Sequence, residues 1–182
     1  DDGNVRNRDG CSACRPETAV VLTPGATPDK RDSFGIAYDG ARQRVVLYGG
    51  WTVNGNLADT WEWDGVAWTK ITTAHSPGPR LDAAMAYDPL RHRVVMFGGY
   101  SANYTGYQAT TWEYDGVDWT LKSPANSPPA LAAAAMTFDA NRGQLLLYGG
   151  RSNDPNEGTA TWAYDGSTWT LLAPATNPGV RE

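Results

Sequence analysis

Short apolar runs separated by turn residues recur along residues 31–182 with a period of about fifty. The first copy runs from FGIAYDGARQRVVLYGG to DTWEWDGVAWTKI, the second from AAMAYDPLRHRVVMFGG to TTWEYDGVDWTLK, and the third from AAMTFDANRGQLLLYGG to ATWAYDGSTWTLLA. Each copy holds four runs of strand length. The first is small and apolar: Phe34–Tyr38, Ala83–Tyr87 and Ala134–Phe138. The second is apolar throughout and ends in a glycine pair, Gly49-Gly50, Gly98-Gly99 or Gly149-Gly150. Unbroken apolarity predicts a strand covered on both faces. The third alternates, with Trp61, Trp112 or Trp162 on the same face as Trp63, Tyr114 or Tyr164, and Thr60 and Glu62 on the other. The fourth opens with Trp68, Trp119 or Trp169.

The turns repeat as well. Asp64-Gly65, Asp115-Gly116 and Asp165-Gly166 join the third and fourth strands, a pairing that favours a tight hairpin because glycine tolerates positive φ. Asp39 to Arg42, Asp88 to Arg91 and Asp139 to Arg142 join the first and second. Aspartates that recur at turns cap turn amides, which argues against reading any pair of them as hydrolytic carboxylates. No helical period is present. The predicted class is all-β, with blades of four antiparallel strands as in a propeller.

The glycine pair, the third-strand aromatic and the tryptophan opening strand four resemble the Kelch repeat, in the style of galactose-oxidase-like central domains. The resemblance covers residues 31–173 in three copies. It implies radial blades at 31–79, 80–130 and 131–182, and partner binding on the face that carries the long loops. Extracellular bacterial Kelch arrays share the D-x-x-R turn and the Trp-rich third strand, so a secreted or extracellular setting is the expectation.

The remaining segments are 1–18, rich in Asp, Asn and Gly, and 19–30. Ala19–Thr23 precedes Arg31 as Trp68–Thr72 precedes Arg80, so it reads as a stray outer strand. Pro178-Gly179-Val180-Arg181 aligns with Pro77-Gly78-Pro79-Arg80, the start of a further copy. Three blades fall short of the roughly 4–8 of a closed ring. The expectation is a piece of a longer protein, with half of a six-bladed ring and a capped open array as alternatives.

In an up-and-down blade the short 1–2 and 3–4 turns share one end. The long 2–3 loops and 4–1 connections share the other and differ between copies. What recurs builds the blade, so function is expected in what does not. The binding candidates are Trp51, Asn54, Tyr100, Asn103, Tyr104, Tyr107, Arg151 and Asp154, with Gln108 and Glu157 nearby. Tyrosines with amides offer flat apolar area and hydrogen bonds for a sugar or a peptide. Trp51 is expected to pack on a neighbouring blade, and the charged third loop to be solvated.

Net charge is −5 and the only lysines are Lys30, Lys70 and Lys122, which argues against nucleic acid. No apolar run reaches the roughly 20 residues of a membrane helix. His75 and His92 are the only histidines, too few for the ligand set of Kelch-bearing copper oxidases, and no nucleophilic triad or phosphate loop appears. Cys11 and Cys14 form a lone CxxC: half a zinc site, a redox motif without its βαβ context, or a short disulfide of a secreted protein, the last being preferred. Asp1, Asp2, Asn4 and Asp9 suggest calcium, though their spacing does not match a calcium loop, and no other cofactor is expected.

The functional expectation is a non-catalytic binding module for a protein or glycan. The alternatives are a building block of a homo-oligomer or filament, and a glycan-active or metal-dependent propeller enzyme with blades missing.

Overall fold

A computed structural model describes residues 26–101, 106–154 and 158–174. The expected elements at Cys11, Cys14 and Ala19–Thr23, the calcium suggestion, Asn103, Tyr104, Glu157 and the further copy at Arg181 lie outside those residues. Within them the chain is all-β, with three four-stranded antiparallel sheets arranged as blades. Blade 1 comprises β1 (Gly35–Asp39), β2 (Arg44–Tyr48), β5 (Thr60–Trp63) and β6 (Trp68–Ile71). Blade 2 comprises β7 (Ala84–Asp88), β8 (Arg93–Phe97), β11 (Thr111–Tyr114) and β12 (Trp119–Lys122). Blade 3 comprises β13 (Ala135–Asp139), β14 (Gln144–Tyr148), β15 (Thr161–Tyr164) and β16 (Trp169–Leu172). Every sheet is ordered by its sequence, as an up-and-down blade requires.

The blades pack through unlike faces. The inner strands β1, β7 and β13 lie side by side. One face of each carries small residues: Gly35 and Ala37, Ala84 and Ala86, Ala135 and Thr137. The opposite face carries large ones, such as Met85 and Met136. Met85 sits where a Cβ on Gly35 would fall, so glycine is needed there for the blades to approach. Val46 and Tyr48 of blade 1 pack with Met85, Met96, Tyr114 and Trp119 of blade 2. Val95 and Phe97 of blade 2 pack with Leu147, Tyr164 and Trp169 of blade 3. Each large side chain so buried contributes roughly 1.5–3 kcal/mol.

Polar bonds at these interfaces repeat in register. Trp119 Nε1 donates to Thr60 Oγ1 at 2.9 Å, and Trp169 Nε1 to Thr111 Oγ1 at 2.9 Å. Tyr114 Oη donates to Glu62 Oε1 at 2.9 Å, and Tyr164 Oη to Glu113 Oε1 at 3.0 Å. Burial beside a carboxylate pushes both phenols well above the usual tyrosine range. Arg42 ties the first of these pairs to a turn, donating to Asp39 at 2.7 Å and Glu62 at 2.6 Å. The third-strand glutamates therefore have partners that the sequence pattern alone did not supply.

The turns behave as capping logic requires. Asp39 Oδ1 accepts from the Ala41 and Arg42 amides, each at 3.1 Å. Asp64 Oδ1 accepts from the Val66 and Ala67 amides, each at 2.8 Å. One detail differs from expectation. Trp63 pairs with Trp68 and the Asp64 amide donates to the Ala67 carbonyl, so the two-residue loop is Gly65-Val66 rather than Asp64-Gly65. Gly65 takes the first loop position with φ 98°, where a type II′ turn places glycine.

Candidate functional site on the loop face

The glycine pairs set the loop face. Gly50 donates its amide to the Arg80 carbonyl at 2.8 Å, and Gly99 to the Leu131 carbonyl at 2.8 Å. The 2–3 loops of blades 1 and 2 are thereby clamped against the 4–1 connections leaving their own blades. Single bridges (Asp32 with Trp51, Leu81 with Tyr100, Ala132 with Arg151) then pair the residue after each glycine pair with the connection entering that blade. Ser33, Asp82 and Ala133, at one position in the three copies, all take left-handed φ between 51° and 57°. The Asp82 amide donates to the Ser33 carbonyl at 2.7 Å, and the Ala133 amide to the Asp82 carbonyl at 2.8 Å. This backbone relay runs from blade to blade beneath the loops.

Two of the expected irregular loops are instead short hairpins. β3 (Trp51–Thr52) pairs with β4 (Gly55–Asn56), and β9 (Tyr100–Ser101) with β10 (Gly106–Tyr107). Runs this short carry too little alternation to announce a strand. In the second hairpin Tyr100 and Tyr107 stand directly opposite, with ring centroids 5.4 Å apart and planes at 75°. That edge-to-face contact leaves Tyr100 36% exposed.

Leu81, Asp82, Tyr100, Tyr107, Ala132 and Arg151 line a cleft of about 140 Å³ between blades 2 and 3. Arg151 Nη2 lies 3.6 Å from Asp82 Oδ2, with half the arginine side chain in solvent. The site thus joins an aromatic pair to a cation and an anion on a rigid backbone relay. Asp82 was missed in the sequence because nothing marks it until the topology sets it against Arg151. Arg151, a binding candidate in a loop expected to be solvated, keeps half its side chain in solvent and also makes that ion pair.

At the corresponding place on blade 1, Lys30, Arg31, Asp32, Trp51, Thr52 and Val53 line a cleft of about 340 Å³. Trp51 is 42% exposed and lines this cleft. Below it Arg31 holds Asp59 at 2.6 and 3.0 Å, and Trp61 Nε1 donates to the same carboxylate at 2.7 Å. Burial pushes the Asp59 carboxyl up, yet these donors hold it below its ordinary value.

The other candidates are spread out. Asn54 is exposed at the tip of the first hairpin, its amide donating to Thr52 Oγ1 at 3.2 Å. Asp154 is exposed and shares hydrogen bonds with Ser152. The Gln108 side-chain amide donates to the Gly106 carbonyl at 3.0 Å and braces the second hairpin. His75 lies 2.6 Å from Asp118, and His92 lies 3.2 Å from the Tyr87 hydroxyl. No three His, Cys, Asp or Glu side chains converge among the described residues. No family model and no curated protein sequence matches this chain.

Proposed function

We propose that the chain is a Kelch-type propeller segment that binds a partner without transforming it. The blades act as scaffold, and the loop face between blades 2 and 3 is the recognition surface. The observation that carries this reading is the cleft in which Tyr100 and Tyr107 stand beside the Asp82–Arg151 pair. Aromatic edges and faces give a sugar ring or a peptide side chain apolar contact at little entropic cost. The forked guanidinium and the carboxylate give orientation through hydrogen bonds. A cleft of about 140 Å³ is small beside the roughly 300–1,000 Å³ of pockets for drug-sized ligands, which favours a single group of a partner over a large cofactor. The Kelch assignment rests on the glycine pair and the two tryptophan positions in each copy. The extracellular setting rests on the style of the repeats and on Cys11 and Cys14.

The test is display of the purified chain on glycan and peptide arrays, followed by titration of the strongest hit. Binding that weakens at least about tenfold in Tyr107→Ala and in Arg151→Ala, with the hit recovered unchanged, supports the reading. Chemical conversion of the hit contradicts it, as does binding indifferent to both substitutions.

A further inference from the structure

We propose that a second copy of this chain docks head to tail, seating the outer face of blade 1 on the outer face of blade 3. The two faces are the unpaired halves of the interface that already joins blade 1 to blade 2 and blade 2 to blade 3.

The large-residue face of β1 has no blade against it among the described residues. Phe34 is 37% exposed, Ile36 49% and Tyr38 57%. Their counterpart Met85 is 8% exposed because it covers Gly35 of the preceding blade. The small-residue face of β13 is open in turn. Ala135 and Thr137 are exposed, whereas their counterparts Ala84 and Ala86 are buried under blade 3. Leu146 is half-buried where Val46 and Val95 are buried. The three described blades thus present a row of knobs on one side and a row of hollows on the other.

The polar register selects the occupant. Each internal interface pairs a tyrosine hydroxyl of the following blade with a glutamate of the preceding one. Blade 1 has Trp63 at the tyrosine position, and blade 3 has Ala163 at the glutamate position. A tyrosine-bearing blade docked on Ala163 would bury a hydroxyl without its acceptor, which disfavours that occupant. Blade 1 brings a larger ring with no hydroxyl against a smaller side chain with no carboxylate. The two departures from the repeat cancel when this chain meets itself. The rest of the interface is retained: Trp68 stands where Trp119 and Trp169 donate, and Thr161 stands where Thr60 and Thr111 accept. The backbone relay also ends in complementary groups, since neither the Ser33 amide nor the Ala133 carbonyl has a backbone partner among the described residues.

An unlike-face contact of this kind closes into a ring when the rotation per copy allows it. Two copies bring six blades, within the roughly 4–8 of closed propellers.

Sedimentation equilibrium of the 182-residue chain tests this, with Ile36→Asp on the knob face and Ala135→Arg on the hollow face. Both positions are exposed, and circular dichroism confirms that each variant folds. The expected result is a wild-type dimer, two variants that are monomers alone, and a 1:1 dimer restored on mixing them. The mixture carries one native contact and one Asp–Arg contact. A monomeric wild type overturns the proposal and leaves the faces to residues 1–25 or to other blades. A dimer lost in Ile36→Asp but untouched by Ala135→Arg also overturns it, because it places like faces together.

Discussion

The Tyr114 hydroxyl donates a 2.9 Å hydrogen bond to Glu62 across the boundary between two blades, and both side chains are buried. Glu62 also accepts from Arg42, whose guanidinium carbon lies 5.5 Å from the Tyr114 ring centroid. Removing the hydroxyl leaves a buried carboxylate short of one donor. Tyr114→Phe is expected to cost about 1.5–3 kcal/mol in urea unfolding, the range for a hydrogen bond to a charged group. A double-mutant cycle with Glu62→Gln is expected to give a coupling above about 0.5 kcal/mol. Additive losses would show that the pair does not couple the blades.

Gly50 is held at φ 97°, and a Cβ there would lie 2.6 Å from the Asp32 carbonyl oxygen. Strain and clash act together, because the obstacle is backbone that other bonds fix in place. Gly50→Ala is expected to destabilise by at least about 2 kcal/mol. Gly55 shares positive φ, but a Cβ there would meet nothing within 4 Å among the described residues. Gly55→Ala is therefore expected to cost less, about 1–2 kcal/mol of strain alone. Thermal melts of the two variants measure the difference.

Thr110 occupies in blade 2 the place of Asp59 in blade 1. Arg80 Nη1 donates to its hydroxyl at 2.8 Å, but the buried Trp112 Nε1 has no hydrogen-bond partner among the described residues. In blade 1 one carboxylate serves both the arginine and the tryptophan. Thr110→Asp is expected to raise stability by about 1 kcal/mol by supplying that acceptor and an ion pair with Arg80. A fall in melting temperature would show that desolvating the new charge outweighs both bonds.

Asp118 reports on the contact between the connection leaving blade 1 and blade 2. The His75 backbone amide donates to it at 2.8 Å, the ring lies 2.6 Å away, and together they hold its pKa at about 2 against an ordinary 3.8. The folded value is depressed, so the stabilisation is complete above the ordinary value and is lost as pH falls toward about 2. Carboxyl NMR titration is expected to show a partial rise in His75→Ala, which keeps the backbone donor. His75→Pro, which removes it, is expected to raise the value further.

The blades were legible in the sequence because their signals are local. Alternation about Trp61, the glycine pairs and the aspartate turns each act within a few residues, and each recurs. The bonds between blades were not legible. Glu62 and Tyr114 lie 52 positions apart, and their link shows only as a joint absence at Trp63 and Ala163. The loop face was half legible. Its tyrosines and Arg151 stood out by not recurring, whereas Asp82 gained meaning only when the fold set it beside Arg151. The two hairpins escaped notice because two-residue strands have no period to read.

The division between recurring scaffold and unshared loops is tested most directly by one set of dissociation constants for the strongest array hit. Trp51→Ala, Tyr100→Ala and Arg151→Ala alter the loop face. Val66→Ala, Leu90→Ala and Val117→Ala alter the opposite face, where these side chains are 66%, 64% and 73% exposed. The predicted result is a loss of at least about tenfold in Tyr100→Ala and Arg151→Ala and no change in any opposite-face variant. Loss confined to the opposite-face variants would contradict it.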